Sequence, residues 1–154
     1  MRTGILFALS LFSFSILMAQ PAKEAKVKSL LLIAPGTKVG GTATLQFTAV
    51  PNPEWHIYSL ESTGAYKTTE IVLSDKCTDI QSKGTPGEDG KKITEFDELM
   101  GGNLNYFDGP VVFSQPVILK GKKPHVEGFI EFQLCNGDKC IFITENFVLE
   151  GKVK

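Results

Sequence analysis

The chain has 154 residues and is almost neutral, with 16 Lys and Arg against 17 Asp and Glu. Its only arginine is Arg2, and the guanidinium fork is the usual means of gripping phosphate, so the composition argues against nucleic-acid binding. About 135 residues follow the apolar amino-terminal segment 1–19, and this length is enough for one domain with its own hydrophobic core.

Residues 1–19 have the pattern of a secretory signal peptide. A basic start precedes an apolar run from Gly4 to Met18, and the small residue Ala19 follows. We expect cleavage after Ala19 and export to an oxidising compartment. An uncleaved membrane anchor is the alternative, but the run is short for a spanning helix. A second long apolar run is lacking, so no membrane span is expected in the mature chain.

The mature chain is dominated by strand and turn signals. Residues 20–28 are predicted as a flexible lead-in, the domain is expected to occupy 29–154, and the Gly/Pro-rich segment 82–90 is predicted as a loop. Eight or nine short strands without helical periodicity predict an all-β fold, a single immunoglobulin-like antiparallel β-sandwich. The predicted strands cover 28–34, 42–50, 55–60, 69–73, 91–96, 104–107, 111–119, 126–135 and 140–149.

Two cysteines bracket the turn sequence NGDK at 136–139. Apolar strand-like runs flank this turn on both sides, which indicates a β-hairpin with a short loop. Such a hairpin would place Cys135 opposite Cys140, with Cα atoms about 4.5–5.5 Å apart and within disulfide reach. The spacing therefore predicts a disulfide at the tip of a β-ribbon.

Strand alternation predicts the direction in which the two sulfurs point. Ile130, Phe132 and Leu134 share an aliphatic face, while Cys135 and Cys140 fall on the opposite face, where a partner could reach both. Closing a loop of about six residues stabilises the fold by only about 2 kcal/mol. A redox-active disulfide and a structural staple both remain open. A metal site is less favoured because no further Cys or His lies nearby in sequence.

Three segments are informative together: EWHIYS at 54–59, FDELMG at 96–101 and QLCNGDKC at 133–140. In order and separation they resemble the periplasmic amino-terminal domain of the thiol:disulfide interchange protein DsbD. The resemblance covers nearly the whole mature chain. It implies a periplasmic, immunoglobulin-like domain that accepts electrons and passes them to other disulfide proteins.

The resemblance also implies roles for individual residues. Cys140 matches the family's second cysteine, which forms the mixed disulfide, and Cys135 matches the first, which resolves it. Asp97, Glu98 and Leu99 match a cap over the sulfurs in that family. His56 and Tyr58 match aromatic positions that line the pocket beside them. Taken singly, Tyr58 is explained equally well by core packing, Asp97 and Glu98 by a solvated loop, and His56 by a structural role.

A cap of this kind has a physical purpose. An apolar lid would protect the sulfurs from random thiols, and Gly101-Gly102 would allow it to move. The carboxylates of Asp97 and Glu98 would disfavour a nearby thiolate, whereas Lys139 would favour it.

The expected partners are periplasmic thioredoxin-like or disulfide-exchange proteins and a separate membrane electron donor. No cofactor is required, because exchange passes through a mixed disulfide between sulfurs, and we expect a monomer. The competing hypothesis is a non-catalytic binding module in which the disulfide is structural. Cys77 leaves an odd cysteine count, and it is interpreted as a partly buried free thiol or, alternatively, as an intermolecular pairing site.

Overall fold

The structure is a computed structural model that describes residues 24–65 and 67–153. The predicted signal peptide lies outside the described residues. These residues contain eleven strands and no helix, hence no helix capable of crossing a membrane. The strands are β1 (Ala25–Leu32), β2 (Thr42–Pro51), β3 (His56–Tyr58), β4 (Glu70–Leu73), β5 (Ile80–Ser82), β6 (Gly87–Gly90), β7 (Ile93–Asp97), β8 (Gly102–Phe107), β9 (Val111–Leu119), β10 (His125–Cys135) and β11 (Cys140–Glu150).

The strands form two antiparallel sheets. The first, sheet A, has the order β1-β2-β9, with β5 and β6 both pairing with β9. The second, sheet B, has the order β11-β10-β3-β8-β7, with β4 pairing with a different part of β10. The predicted all-β, immunoglobulin-like sandwich is therefore confirmed. Strand β10 lies inside sheet B, whereas β11 lies at its edge.

The core lies between the sheets and follows the period-two pattern of the strands. In β2, Leu45 and Phe47 are fully buried, and in β10 Phe132 and Leu134 are fully buried as well. The Phe47 ring lies 4.8 Å from that of Phe147, between centroids, and so links the two sheets. Full burial of such side chains contributes about 1.5–3 kcal/mol each. The aliphatic face predicted for β10 is thus its core face.

The predicted lead-in is wrong for its last residues. Strand β1 begins at Ala25 and pairs with β2 over its whole length, from Ala25 opposite Pro51 to Leu32 opposite Thr44. Ala25 is 3% exposed, so this end of the strand is anchored in the core. Lysines at alternate positions made the segment look polar, although a lysine in an edge strand can point to solvent without breaking the ladder.

The loop predicted over 82–90 is also wrong in part, because it contains the end of β5 and all of β6. Strand β6 pairs with β9 from Gly87 opposite Ser114 onward. The Glu88 carboxylate accepts hydrogen bonds from the Ser59 hydroxyl at 2.7 Å and from the Leu60 amide at 2.8 Å. These long-range bonds hold a strand whose composition carries no hydrophobic alternation.

Candidate redox site

The β10–β11 hairpin brings the two cysteines together at its tip. The strands pair without a break from His125 opposite Glu150 to Cys135 opposite Cys140. The cysteines form a disulfide, and their Cα atoms are 4.1 Å apart. The predicted disulfide is therefore present, and strand pairing accounts for the approach of its two residues.

Asn136 shapes the turn independently of the disulfide. Its side-chain oxygen accepts hydrogen bonds from the amides of Asp138 at 3.0 Å and Lys139 at 2.9 Å. The Asn136 amide in turn donates to the Lys139 carbonyl at 3.0 Å. An asparagine side chain commonly closes a turn in this way. The backbone of the hairpin tip thus has three hydrogen bonds of its own.

The two halves of the disulfide differ in exposure. Cys135 is 3% exposed, whereas Cys140 is exposed to solvent. The expectation that a partner reaches both thiols is therefore wrong for Cys135. The reason is its position: β10 is covered on one side by β11 and on the other by β3, where His56 pairs with Cys135. Cys140 belongs to an edge strand and has no such cover on its outer side.

Gln133 contacts the buried sulfur, and the sequence interpretation missed it as a site residue. Its side-chain nitrogen lies 3.2 Å from the Cys135 sulfur, and its side-chain oxygen accepts a hydrogen bond from the Lys67 amide at 2.9 Å. Gln133 is 4% exposed. Period-two alternation does place residues 133 and 135 on one face, and that was the available signal.

Three aromatic rings continue the site on the same face of sheet B. The ring of His56 lies 4.5 Å from that of Tyr106 and 5.5 Å from that of Tyr58, between centroids. The structure therefore brings together His56, Tyr58 and Tyr106, and the pocket role of His56 and Tyr58 stays a prediction. Burial lowers the pKa of His56 below its usual 6.5, although the carboxylates of Glu95 and Asp108 oppose this shift.

Acidic side chains border this aromatic cluster. Burial raises the pKa of Tyr58, and the carboxylates of Asp97 and Glu95 raise it further. Burial and a hydrogen bond to Glu95 raise the pKa of Tyr106 to about 12. Both phenols therefore stay protonated at physiological pH. Tyr58 is only 6% exposed, whereas Tyr106 is half-buried, so Tyr106 is the phenol that remains open to contact.

The segment expected to be a cap forms the tight turn between β7 and β8. The Asp97 carboxylate accepts hydrogen bonds from the amides of Leu99 at 2.8 Å and Met100 at 2.9 Å. Gly101 has a φ of +66°, a conformation that favours glycine. The turn lies at the opposite end of β8 from the residues that pair with β3.

Leu99 is 97% exposed, so in this conformation it covers neither sulfur. Glu98 is exposed as well, and Asp97 is half-buried. The acidic side chain of Asp97 does reach the aromatic cluster electrostatically, through Tyr58. The expected shielding by Leu99 is therefore absent from this conformation, and the cap role of Asp97 and Glu98 stays a prediction.

Other polar groups have separate surroundings. The Lys139 ammonium lies 5.6 Å from the centroid of the Trp55 ring, a cation–π contact next to Cys140 in sequence. Cys77 is a half-buried free thiol that donates to the Glu127 carbonyl at 3.2 Å. Within the described ranges, no group of three or more Cys, His, Asp and Glu side chains is arranged to hold a metal ion.

The sequence matches no family model and no curated protein. Solved structures do resemble it. The amino-terminal periplasmic domain of ScsB from Proteus mirabilis aligns with a TM-score of 0.58 and 15% identity, covering 86% of this chain and 49% of that one. The amino-terminal domain of DsbD from Neisseria meningitidis, in the reduced form, aligns with a TM-score of 0.52 and 15% identity, covering 88% and 91%.

The chain thus spans about half the length of the ScsB domain and nearly all of the DsbD domain. At this level of identity the similarity establishes the fold. The sequence resemblance, which rested on three short segments, is confirmed to that extent. The described chain has the fold of the amino-terminal periplasmic domains of DsbD and ScsB.

Proposed function

We propose that this protein is a periplasmic thiol:disulfide exchange protein that relays electrons through Cys135 and Cys140. The observation that supports this proposal best is the unequal exposure of a bonded cysteine pair. Cys140 is exposed at the tip of an edge strand, while Cys135 is 3% exposed. A partner can therefore attack one sulfur, and the other serves as an internal leaving group.

The oxidised protein accepts electrons in two steps. A partner thiolate attacks the Cys140 sulfur and forms a mixed disulfide, while the Cys135–Cys140 bond breaks and its electron pair passes to the Cys135 sulfur. The partner's second thiolate then attacks its own sulfur in the mixed disulfide. This step releases Cys140 as a thiolate and leaves the partner oxidised. Solvent supplies the two protons.

The reduced protein passes the electrons on by the reverse chemistry. The Cys140 thiolate attacks a disulfide in an acceptor protein and releases one acceptor thiolate. Cys135 then attacks Cys140, which releases the second acceptor thiolate and restores the internal disulfide. No cofactor takes part, because bonds are exchanged between sulfurs alone.

The fold and the compartment suggest the kind of partner. The similar solved structures are periplasmic domains of ScsB and DsbD, and segment 1–19 fits export by a signal peptide. We therefore propose a thioredoxin-like dithiol protein or a membrane-embedded carrier as electron donor, and periplasmic disulfide proteins as acceptors. The half-buried rings of His56 and Tyr106 and the ring of Phe142, which is 51% exposed, supply surface near the disulfide for such contacts.

The competing reading is a binding module with a structural staple. The crosslink joins residues only five apart in sequence, and closing so short a loop stabilises a fold by about 2 kcal/mol. Asn136 already holds the turn, and the paired strands hold both cysteines opposite each other. The disulfide thus adds little constraint that the hairpin lacks, which favours a redox role.

The proposal is tested by trapping a mixed disulfide. The Cys135→Ala variant, in a Cys77→Ser background, is incubated with periplasmic extract or with an oxidised thioredoxin-like protein, and adducts are resolved by non-reducing electrophoresis and mass spectrometry. We expect adducts through Cys140 that dithiothreitol releases. The matched Cys140→Ala variant, which keeps the buried thiol, should form few. A folded Cys135→Ala variant that captures nothing would end the proposal in favour of the staple.

A further inference from the structure

We propose that Gln133 is a positioning residue that stabilises the Cys135 thiolate and so directs attack to Cys140. The inference rests on the proposed exchange function and names the group that makes the reaction directional. Gln133 touches the sulfur that leaves and lies on the buried side of the disulfide.

The orientation of the Gln133 amide follows from its contacts. One end lies 2.9 Å from the backbone nitrogen of Lys67, which is a donor, so that end must be the oxygen. The other end must then be the NH₂ group, and it lies 3.2 Å from the Cys135 sulfur. The side chain is 4% exposed, so both bonds are shielded from water. The structure therefore aims a fixed hydrogen-bond donor at this sulfur.

The stretch that holds Gln133 is itself anchored. The Lys67 ammonium lies 2.9 Å from the Glu131 carboxylate and 3.8 Å from that of Glu70. Glu131 and Gln133 are on the same face of β10, so Lys67 contacts this strand with both its backbone and its side chain. The acceptor end of Gln133 is thereby fixed in place. A fixed acceptor end leaves the donor end little freedom to turn from the sulfur.

A thiolate formed at Cys135 needs a donor, because an unpaired buried anion is costly. The neighbour across the strand pair is His56, which burial keeps in its neutral form near neutral pH. Gln133 supplies a neutral N–H donor that is in place before the bond breaks. Hydrogen bonds to an ionised acceptor are about twice as strong as those between neutral groups. The amide therefore favours the state in which Cys135 carries the electron pair.

The same bond acts in both directions of exchange. When a partner thiolate attacks Cys140, the electron pair of the broken bond passes to a sulfur that already accepts a hydrogen bond. When Cys135 resolves the mixed disulfide, a larger fraction of it is thiolate at a given pH. Attack of a partner thiolate on Cys135, with Cys140 as the leaving group, is disfavoured. Cys135 is buried, and Cys140 has no comparable donor within the described contacts.

The test is a pH titration of the Cys135 thiol in a Cys140→Ser background. The ¹³Cβ chemical shift of labelled cysteine reports the ionisation of the thiol. Cys77 supplies an internal reference in the same spectra. Gln133→Met removes the donor and keeps the length of the side chain. Gln133→Glu keeps an acceptor for the Lys67 amide but places a carboxylate against the sulfur. It therefore separates an effect on the sulfur from a loss of structure.

We expect the titration midpoint of Cys135 to rise by about one pH unit with Gln133→Met and by more with Gln133→Glu, while Cys77 is unmoved. With Cys140 restored, dithiothreitol should reduce the disulfide about threefold more slowly in the Met variant. The matched control is Gln115→Met, since Gln115 is a similarly buried glutamine, 6% exposed, in sheet A. It should change neither value.

A Cys135 midpoint that stays unchanged in folded Met and Glu variants would overturn the inference. That result would leave the exchange function intact, because the trapping experiment uses the natural Gln133. Conversely, a shifted midpoint without trapped partners would count against the exchange function and not against the contact between Gln133 and the sulfur.

Discussion

His56 lies directly opposite Cys135 across the β3–β10 pair, so the disulfide and the aromatic cluster share one face of sheet B. This pairing explains two features at once. It makes Cys135 part of an interior strand, where it is 3% exposed, and it connects the hairpin tip to Tyr58 and Tyr106 through the His56 ring. The site therefore extends across strands that are far apart in sequence.

The first prediction concerns the two thiols of the reduced protein. Iodoacetamide should modify Cys140 at least about tenfold faster than Cys135, since alkylation requires an accessible thiolate and Cys135 is 3% exposed. Peptide mass spectrometry after timed quenching gives both rates. Unfolding in urea should equalise them, which is the control. Equal rates in the folded protein would mean that reduction opens the hairpin tip.

The second prediction concerns the two histidines, whose pKa values should move in opposite directions. A hydrogen bond to Glu150 raises the pKa of His125 above 6.5, and Glu127 adds to this effect. Burial lowers that of His56. Nuclear magnetic resonance titration of the imidazole protons should give values on either side of 6.5. A Glu150→Gln variant should lower the value for His125 and leave that for His56 unchanged.

His125 also makes stability depend on pH. A pKa that is raised by folding stabilises the protein fully below the unfolded value of 6.5, and this contribution is lost as pH rises through the folded value. The free energy of unfolding, measured in urea, should therefore increase for wild type relative to His125→Gln as pH falls from about 8 toward about 6. This range brackets the ordinary pKa of histidine. A difference between the two proteins that grows with pH would contradict the assignment.

The third prediction concerns the turn between β7 and β8. Leu99 is 97% exposed, so Leu99→Ala should leave the free energy of unfolding within about 0.5 kcal/mol of wild type. The reduction of the disulfide by dithiothreitol should also be unchanged, because Leu99 does not cover the sulfurs. Stopped-flow kinetics would check this. Faster reduction in the variant would instead show that the turn closes over the disulfide in solution.

The fourth prediction tests the packing of β4 on β10. A Cβ atom added at Gly128 would lie 2.1 Å from the Val72 carbonyl oxygen, so backbone would have to move. Gly128→Ala should destabilise the fold by about 1–3 kcal/mol, the usual cost of overpacking. Gly137→Ala is the matched control, because nothing lies within 4 Å of its added Cβ. Urea midpoints compare the two variants. Equal midpoints would show that the backbone of β4 moves away from the added methyl group without a loss of stability.

The hairpin could be predicted from sequence because its information is local. The NGDK turn and the alternation around Phe132 set the strand pairing, and the pairing sets the disulfide. The exposure of the two sulfurs could not be predicted in the same way. It depends on whether a strand lies inside a sheet or at its edge, and His56, the residue that pairs with Cys135 on the inner side, is distant in sequence.

Long-range contacts explain the other differences. Gln133 was on the expected face, but its burial depends on Lys67, which is 66 residues away. Strand β6 has glycine at both ends and acidic residues between, so no hydrophobic period marks it. Glu88 instead ties it to Ser59 and Leu60, which directly follow β3. The segment around Leu99 was predicted as a lid. Its turn is held locally by Asp97, but the exposure of Leu99 depends on how far the turn lies from the disulfide in the folded sheet, which the local sequence does not encode.

The hydrogen bonds of Asn136 have a consequence for recognition. Since they hold the turn without help from sulfur, we expect the oxidised and reduced proteins to be nearly isomorphous in backbone at the hairpin tip. A partner would then find the same surface before and after electron transfer. Release of the product complex would have to come from the change in covalent bonding alone, so docking should be weak and brief in both redox states.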